Sequence, residues 1–523
     1  MLNNKINILL ITLTALLLMA PALYLGHVVG HSSVLNVGWA DGFAHALAGG
    51  EIYPRWLPEM NGGAGSAVFY FYGPLPFYIA APFVLATGSA ALGVVLASTT
   101  MLALSGLATY FLCRHYSSPK TALVCGLIYM ALPYHFSMDV MYRAAFGEQA
   151  AFLFMPLAIL CVLKLPQDRR FAVGLAFVYA AQLFAHLPTA LLFAPILAFF
   201  CLWTAWKERS FAVLFVCGLA GISAIGLAAI YLLPAATLQD MIQPSFWRVI
   251  APQDHLLFSE KFLYEDFSFF IFSQSIVLAI VLYLIVAAAL QWRANPALQP
   301  WLLIALVTFF FCSSTSAPFW IHAGLFNMVQ LPWRMFGVLD LCLVVMLASL
   351  TESESLWQHT TYASVGVAVL LGFIITGGTQ YLFYHLPDDP KSMTIGQDRK
   401  RIAIKTDASE YLPACFLAPQ QEYHAMTDRF AIANLTAVAT AGLEPHYYYP
   451  FLKASRAGQD IATTCDPETG YMKYDDSVGQ GPVTVRHVTL PIEAKAWGIS
   501  LFSLATIILA AFFGYRRKKR HGA

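Results

Sequence analysis

The chain has 523 residues, of which 59% are hydrophobic and only 11% are charged, and its mean hydropathy is +0.63. These values lie outside the range of soluble globular domains, so the composition excludes an ordinary soluble protein and predicts a polytopic membrane protein. The formal net charge of +1 excludes nothing by itself, because the charges are segregated along the chain.

Apolar runs of about the length of a bilayer crossing follow one another along the chain and predict about twelve transmembrane helices. They lie near 7–26, 89–113, 120–137, 148–165, 171–187, 189–206, 211–233, 269–292, 300–317, 334–350, 360–380 and 494–515. The first run contains the small-residue sequence MAPAL, so a cleaved signal peptide is an alternative to a membrane anchor.

The basic residues predict which connectors are cytoplasmic. By the positive-inside rule, the cytoplasmic side holds the basic tail from Arg516 to Arg520, and both chain termini are then cytoplasmic. The connectors on the same side contain Arg114, Lys120, Lys164, Arg169, Arg170, Lys207, Arg209 and Arg293. We expect a multi-pass membrane protein with its polar chemistry on the outer side; if the protein is bacterial, the membrane is the inner membrane and that side is the periplasm or cell exterior.

The first predicted outer loop, residues 27–78, holds an acidic residue close to the end of the first span. Asp41 lies in WADGFAHAL, whose apolar spacing suits a short helix on the bilayer surface. A carboxylate placed there could serve as a base toward a substrate with a polar head and a lipid tail, or it could simply cap that helix. Arg55 follows in the same loop, just before the NGGAG turn.

Other polar residues occur at the predicted outer ends of spans. Asp139 and Arg143 are four residues apart and could pair on one helix face, and Glu148 opens the next apolar run, where a helix N-terminus favours negative charge. His186 precedes Pro188 at a predicted helix break. Arg334 lies at the mouth of a span, against the topological bias, and its planar fork suits a phosphate, as does that of Arg55.

The polar segment 381–493 predicts a small β-sandwich-like outer domain, because it is rich in turn formers and short β-type runs such as GPVTVRHVTL. Of the nine cysteines, Cys415 and Cys465 alone fall on the predicted outer side; whether they form a disulfide stays open at this stage. The domain boundaries are then 1–380 for the helical part, 381–493 for the β-rich part, and 494–523 for the last helix and tail.

Several function classes have no support in the sequence. It contains no P-loop, no GxGxxG motif after a strand, no CxxC pair and no HExxH motif. A soluble basic patch with interleaved aromatic residues is also missing, so we expect no nucleic-acid partner.

The motifs IYPRWLPEMNGGAGSAVFYFYGPLPFY, LPYHFSMDVMYRAAFGEQAAFLFMPL, HLPTALL, YLLPA, VQLPWRMF and EYLPA resemble those of bacterial membrane proteins called "pyruvoyl-tetrahydropterin synthase-related". These proteins are similar to the GT-C superfamily of polyprenyl-phosphate-sugar-dependent glycosyltransferases. The resemblance covers nearly the whole chain, including the segment that ends in GPVTVRHVTL. A pterin synthase activity is not implied, because no zinc-ligand cluster is present.

The resemblance implies an inverting sugar transfer from a polyprenyl-phosphate donor to a membrane-associated acceptor. Asp41 matches the location of the catalytic base, although Gly42 stands where many members carry a second acidic residue. Arg55, Arg143, Glu148, His186 and Arg334 are the predicted substrate-binding and phosphate-binding residues. No nucleotide or redox cofactor is implied; a divalent metal is an option, with Asp41, Asp139, Glu148 and His186 as its candidate ligands.

Two other classes remain open from the sequence. A flippase or transporter of a lipid-linked substrate needs ionisable groups inside the membrane, and Asp340 is the clearest charge within a predicted span. A non-catalytic scaffold of cell-envelope assembly needs no pocket at all. The sugar, the lipid carrier, the acceptor and the oligomeric state cannot be read from the residues.

Overall fold

The computed structural model describes most of the chain. The described residues are 2–28, 30–243, 251–259, 268–322, 324, 329, 331–351, 411–416, 446–474 and 482–521. The predicted span at 360–380 and much of the predicted β-rich domain lie outside them.

The described chain is mostly helical, as its composition predicts. The helices are α1 (Leu2–Leu18), α2 (Ala20–Leu25), α3 (Ser33–Ala48), α4 (Val68–Phe71), α5 (Leu75–Thr87), α6 (Ala90–Cys113), α7 (Pro119–Ala131), a π-helix (Tyr134–Tyr142), α8 (Phe146–Lys164), α9 (Phe171–Ala185), α10 (Leu187–Lys207), α11 (Phe211–Leu227), α12 (Ala229–Thr237), α13 (Ser268–Leu290), α14 (Gln299–Cys312), α15 (Ala317–His322), α16 (Phe336–Thr351) and α17 (Pro491–His521).

Several of these helices could cross a membrane. Among the described residues, six helical stretches are long and apolar enough to do so, and the bent pair α11 and α12 would make a seventh. The six are Ala90–Cys113, Pro119–Tyr142, Phe146–Lys164, Leu187–Lys207, Pro332–Leu350 and Pro491–Phe512. The prediction of a multi-pass membrane protein is therefore confirmed, whereas the count of about twelve spans is not.

The stretch Pro119–Tyr142 changes its helix type at a proline. Helix α7 ends at Ala131, and Pro133, which has no N–H to donate, precedes the π-helix. In that π-helix the amide of Met138 donates to the carbonyl of Pro133, five residues earlier (2.9 Å). The wider turn rotates the residues that follow it and so decides which side chains face the bundle interior.

Helices α11 and α12 are separated at Ala228 and bent by 67°. Such a break inside apolar surroundings needs partners for the main-chain groups that it frees. Ser500 of α17 accepts a hydrogen bond from the amide of Ile230 (2.9 Å), and Arg55 Nη2 donates to the Ile230 carbonyl (2.6 Å). The break is thus held by side chains from the two ends of the chain.

The C-terminal segment contains two small antiparallel sheets. In the first, β1 (Leu452–Arg456) lies between β2 (Gln459–Ile461) and β5 (Val483–His487); the second pairs β3 (Thr463–Cys465) with β4 (Met472–Tyr474). A β-rich region is therefore confirmed, although its described strands form two separate sheets rather than a sandwich. Cys415 and Cys465 form a disulfide, which answers a question that the sequence left open.

Segment 27–78 packs against this β-rich region through aromatic rings. The ring of Trp56 lies 5.6 Å from the rings of both Tyr449 and Phe451, and Tyr70 stacks on Phe451 at 4.6 Å. Such ring pairs add to the free energy gained from burying their apolar area. The contacts join the beginning and the end of the chain around one face of the helical bundle.

Candidate functional site

Four charged side chains from two distant parts of the chain meet at the ends of candidate spans. They are Asp139, Arg143, Glu148 and Arg334, and we call them the charge cluster. Arg143 Nη1 contacts Asp139 Oδ1 (2.7 Å) and Glu148 Oε2 (2.8 Å), and Arg334 Nε lies 3.3 Å from the same Glu148 oxygen. Both carboxylates are fully buried, whereas 14% of the Arg143 side chain stays accessible.

Neighbouring aromatic and main-chain groups complete the charge cluster. Tyr134 donates its hydroxyl to Glu148 Oε1 (2.5 Å), and Arg334 Nη1 donates to the Val329 carbonyl (2.6 Å). The Arg143 guanidinium lies over the ring of Trp333, 4.9 Å from its centroid. Glu148 therefore receives contacts from three side chains, and the face of Arg143 is fixed by a cation–π contact.

Local sequence explains how the charge cluster forms. The π-helix places Asp139 and Arg143 on one side, as their spacing of four residues predicts, and Glu148 lies in the first turn of α8, where the helix dipole favours a carboxylate. Arg334 lies in the turn Pro332–Met335, directly before α16. Arg143, Glu148 and Arg334 therefore lie at helix ends, whereas Asp139 lies within the π-helix.

Segment 27–78 is hydrogen-bonded to the turn around Arg143. The amides of His31 and Ser32 donate to the carbonyls of Tyr142 (2.9 Å) and Arg143 (3.0 Å). Asn36 Nδ2 donates to the carbonyl of Ala144 (2.6 Å), a residue with φ of +49°. This turn is therefore built jointly by α3 and the π-helix.

A glycine permits that close approach. A Cβ at Gly30 would lie 2.6 Å from the carbonyl oxygen of Met141, a distance that no side chain tolerates. A small crevice between α3, α6 and α8 adjoins this contact and is lined in part by Asn36, Ser98 and Gln149. Gln149 Oε1 has no hydrogen-bond partner within the described part of the chain.

His186 lies beside the charge cluster, at the break between α9 and α10 that its position before Pro188 predicts. Its Nδ1 is 2.7 Å from the hydroxyl of Thr189. A Cβ at Gly147 would lie 3.1 Å from His186 Cδ2, so the glycine lets the start of α8 approach this break closely. Burial, and then the positive charge of Arg334, hold the pKa of His186 below its ordinary value.

We expect His186 to make the fold less stable as the pH falls. Its pKa is about 6.5 in the unfolded chain and lower in the folded chain. At a pH between these two pKa values, the unfolded chain therefore binds more protons than the folded one. The stabilisation by neutral His186 is complete above about pH 6.5 and is lost as the pH falls toward the folded-state pKa. Between pH 7.5 and 5, the Tm of the wild type should fall more than that of His186→Gln; equal slopes would contradict this assignment.

Asp41 lies on a different part of helix α3 from Asn36, the residue that contacts the turn after Arg143. A helix over the predicted residues is confirmed, and it is longer than expected, from Ser33 to Ala48. Asp41 follows Asn36 by five residues, which places it roughly 7.5 Å further along α3 and about 140° around it. Among the described residues Asp41 pairs with His45 (3.5 Å), and 23% of its side chain is accessible.

Arg55 also lies apart from the charge cluster. Its Nε is 2.9 Å from Glu493 Oε1, both side chains are almost fully buried, and its guanidinium lies 4.1 Å from the centroid of the Tyr53 ring. Together with its bond to the Ile230 carbonyl, these contacts join segment 27–78, the break between α11 and α12, and the start of α17. We call this group the Arg55–Glu493 latch.

The structure thus brings together four of the six predicted site residues, namely Arg143, Glu148, His186 and Arg334, and not Asp41 or Arg55. Three of the four predicted metal ligands, Asp139, Glu148 and His186, lie in or beside the charge cluster, but no group of three or more His, Cys, Asp and Glu side chains within the described ranges is arranged to hold a metal ion. The cation between Asp139 and Glu148 is the guanidinium of Arg143.

Two residues beside the site were not predicted as part of it. The first is Trp333, whose ring lies against the guanidinium of Arg143. His31 lies close enough to Arg143 that, after burial, this positive charge lowers its pKa. The adjacent Trp333 and Arg334 at the mouth of a span could have pointed to Trp333 from the sequence alone. The position of His31 depends on the fold of the loop.

Comparisons with known proteins leave the family open. No family model matches the chain. It is 25% identical over 290 residues to an uncharacterized protein of Lactococcus lactis subsp. cremoris (strain MG1363), which covers 51% of this chain and 47% of that protein. The chain therefore spans about half the length of the curated relative that it matches.

Among solved structures, the chain is similar to the apo form of the Archaeoglobus fulgidus oligosaccharyltransferase, with 11% identity and a TM-score of 0.38. The similarity covers 74% of this chain and 60% of that chain. The label "pyruvoyl-tetrahydropterin synthase-related" finds no support in these comparisons.

Proposed function

We propose that this protein is a membrane glycosyltransferase that moves a sugar from a polyprenyl-phosphate donor to a lipid, glycan or wall-polymer acceptor on the outer side of the membrane. The observation that carries the proposal is the charge cluster, in which two guanidinium groups from distant parts of the chain lie at the ends of candidate spans. Ionisable groups are costly in such a position and usually serve function. The resemblance of the sequence motifs to those of GT-C-like membrane proteins supports the same reaction class.

In this proposal Arg143 is the first contact of the donor phosphate. It is the most accessible member of the charge cluster, and the ring of Trp333 holds its plane. A fixed planar fork suits two phosphate oxygens at once. Glu148 acts as a positioning residue, because it holds Arg143 and Arg334 near one point without itself facing an acceptor.

The reaction needs one base. The acceptor hydroxyl attacks the anomeric carbon, its proton passes to a carboxylate, and the sugar–phosphate bond breaks with its electron pair going to the phosphate oxygen. Positive charge beside that oxygen stabilises the charge that develops there. Asp41 is the base that the family resemblance implies, and Asp139, whose Oδ2 has no hydrogen-bond partner in the described structure, is a second candidate beside Arg143.

The test is sugar transfer by membranes that contain Asp41→Asn or Asp139→Asn, supplied with labelled polyprenyl-phosphate sugar and candidate acceptors. If Asp41 is the base, its amide variant loses activity by about 100-fold or more, since removal of a general base costs that much. An Asp41→Asn protein that transfers sugar at the wild-type rate would contradict that assignment. A loss confined to Asp139→Asn would move the base to the charge cluster, and full activity in both would leave the proposed mechanism without a base.

A non-catalytic scaffold is the second candidate function. It is favoured by the burial of the charge cluster: Glu148 is fully buried, and only 9% of the Arg334 side chain is accessible. A network of this kind can exist for structural specificity alone. The two functions differ in whether a phosphate lipid binds at Arg143, which can be measured without knowledge of the acceptor.

A further inference from the structure

Tyr72 brings segment 27–78 to the edge of the charge cluster. The segment approaches closely because Gly73 has no side chain: a Cβ there would lie 2.5 Å from the carbonyl oxygen of Ala185, the last residue of α9. A Cβ at Gly147, in the first turn of α8, would lie 2.9 Å from the same oxygen and 3.2 Å from the hydroxyl oxygen of Tyr72. Three distant parts of the chain therefore meet at one carbonyl group.

The Tyr72 hydroxyl lies close to the charges of the charge cluster. Gly147 directly precedes Glu148, and its main-chain amide is directed at the Tyr72 hydroxyl oxygen. The positive charges of Arg334 and Arg143 both act on the same phenol. The hydroxyl therefore lies beside the two groups that would bind the phosphate of the donor.

The proton of this hydroxyl has no acceptor among the described residues, in contrast with other tyrosines of the segment. Tyr53 donates its hydroxyl to the carbonyl of Phe69 (3.1 Å), and Tyr78 donates to the carbonyl of Ile52 (2.6 Å). Burial raises the pKa of Tyr72 to about 12, so its hydroxyl keeps the proton at neutral pH. Because Tyr72 is only partly buried, a ligand can reach this donor.

The ring of Tyr72 is held without the use of its hydroxyl. Its centroid lies 5.2 Å from that of Trp39 and 6.0 Å from that of Phe77. Such ring pairs stabilise one orientation of the side chain. Trp39 lies on α3, two residues before Asp41, so the phenol also connects the charge cluster with the helix that carries the implied base.

We propose that Tyr72 is a further substrate contact, whose hydroxyl donates a hydrogen bond to a phosphate oxygen of the donor lipid at Arg143. This inference rests on the proposed function, because it adds a second contact to the same phosphate. A guanidinium supplies positive charge and parallel N–H donors, whereas the phenol supplies one neutral donor from another part of the chain. Segment 27–78 would then take part in recognition of the phosphate.

The test measures binding to the purified full chain by native mass spectrometry, with polyprenyl phosphate and the polyprenol of equal length as probes. Tyr72→Phe removes only the hydroxyl and should weaken binding of the phosphate by roughly fivefold to tenfold, without a change for the alcohol, since one hydrogen bond to a charged group is lost. Tyr78→Phe is the matched control in the same segment and should bind both lipids as the wild type does. Unchanged phosphate binding by Tyr72→Phe, or an equal loss in Tyr78→Phe, would overturn the proposal.

Thermal unfolding of the ligand-free proteins separates substrate contact from a structural role. The ring contacts of Tyr72 remain in Tyr72→Phe, so the Tm of this variant should stay close to that of the wild type. A lower Tm together with weaker binding of phosphate and alcohol alike would assign the hydroxyl to the fold, against the proposal.

The same binding data show which claim fails. Equal binding of phosphate and alcohol by the wild type would overturn the phosphate site and this inference with it. A preference that Arg143→Lys loses and Tyr72→Phe keeps would retain the phosphate site and exclude Tyr72 from it. In the folded wild type, a diazirine placed beside the phosphate should label residues 71–74, as read by peptide mass spectrometry; labelling confined to other segments would contradict the proposal without the use of any variant.

Discussion

Replacement of Glu148 by glutamine is expected to remove most of the folded protein from detergent extracts. Glu148 is fully buried and contacts Tyr134, Arg143 and Arg334. Its neutral amide would leave two buried guanidinium groups with too little negative charge, and breaking a buried ion pair from one side costs about 3–5 kcal/mol. That loss is a large fraction of the whole stability of many domains. Fluorescence-detected size-exclusion chromatography of a fused reporter measures it.

Asp168→Asn is the matched control for that prediction. It makes the same chemical change in an acid that also pairs with an arginine, but the partner, Arg170, is largely exposed (74%). Water and salt screen such a pair, so the folded fraction should stay close to that of the wild type. If Glu148→Gln and Asp168→Asn gave the same yield and Tm, the charge cluster would not be the buried network described above.

The Arg55–Glu493 latch is expected to give the second largest effect. Arg55→Met removes a buried cation from Glu493 and from the carbonyl of Ile230, at a cost of about 3–5 kcal/mol. Glu493→Leu alone should be similarly harmful, because it leaves Arg55 buried without its carboxylate. The double variant removes both charges together, so it should be more stable than the sum of the two single effects.

A double-mutant cycle on Tm or on denaturation half-life measures that coupling. Full recovery is not expected, since the Ile230 carbonyl at the break between α11 and α12 still loses its donor. Strictly additive effects would contradict the latch. The result also bears on the predicted phosphate contact of Arg55: a polyprenyl phosphate that stabilised the wild type but not Arg55→Met would return Arg55 to the binding site.

Local features were readable from the sequence because they depend on neighbours in the chain. The i, i+4 spacing of Asp139 and Arg143 predicts their ion pair, and the structure confirms it at 2.7 Å. Glu148 in the first turn of a helix and His186 at a helix break are confirmed for the same reason. The spacing of residues along a helix, the signals for helix ends and the positions of prolines predict such features without any knowledge of the fold.

The partners of the arginines could not be read in that way. Arg55 and Arg334 have similar neighbours in the sequence, since each lies beside a Trp and close to a Pro. Their partners nevertheless differ: Arg55 pairs with Glu493, and Arg334 pairs with Glu148. Those partners come from helices that are far away in the chain, so only the packing of the bundle decides them. The same holds for Asp41, whose direction on α3 depends on how Asn36 docks on Ala144.

In the β-rich segment too, a local feature could be predicted from the sequence and the long-range pairings could not. Alternating residues in GPVTVRHVTL predict a strand, and β5 spans Val483–His487. The pairing of β1 with both β2 and β5 joins strands across a segment that carries no comparable pattern. Likewise the two cysteines could be placed on one side of the membrane by topology, but their disulfide follows from the distance between them in the fold.

The binding of polyprenyl phosphate to Arg143 tests the central claim most directly. Native mass spectrometry of the purified chain would compare polyprenyl phosphate with the polyprenol of equal length, for the wild type, Arg143→Lys and Arg55→Lys. We expect the wild type to prefer the phosphate by about tenfold or more, Arg143→Lys to lose most of that preference because its ammonium lacks the planar fork, and Arg55→Lys to keep it. Equal binding of phosphate and alcohol by the wild type, or an unchanged preference in Arg143→Lys, would contradict the claim that the charge cluster is a phosphate site.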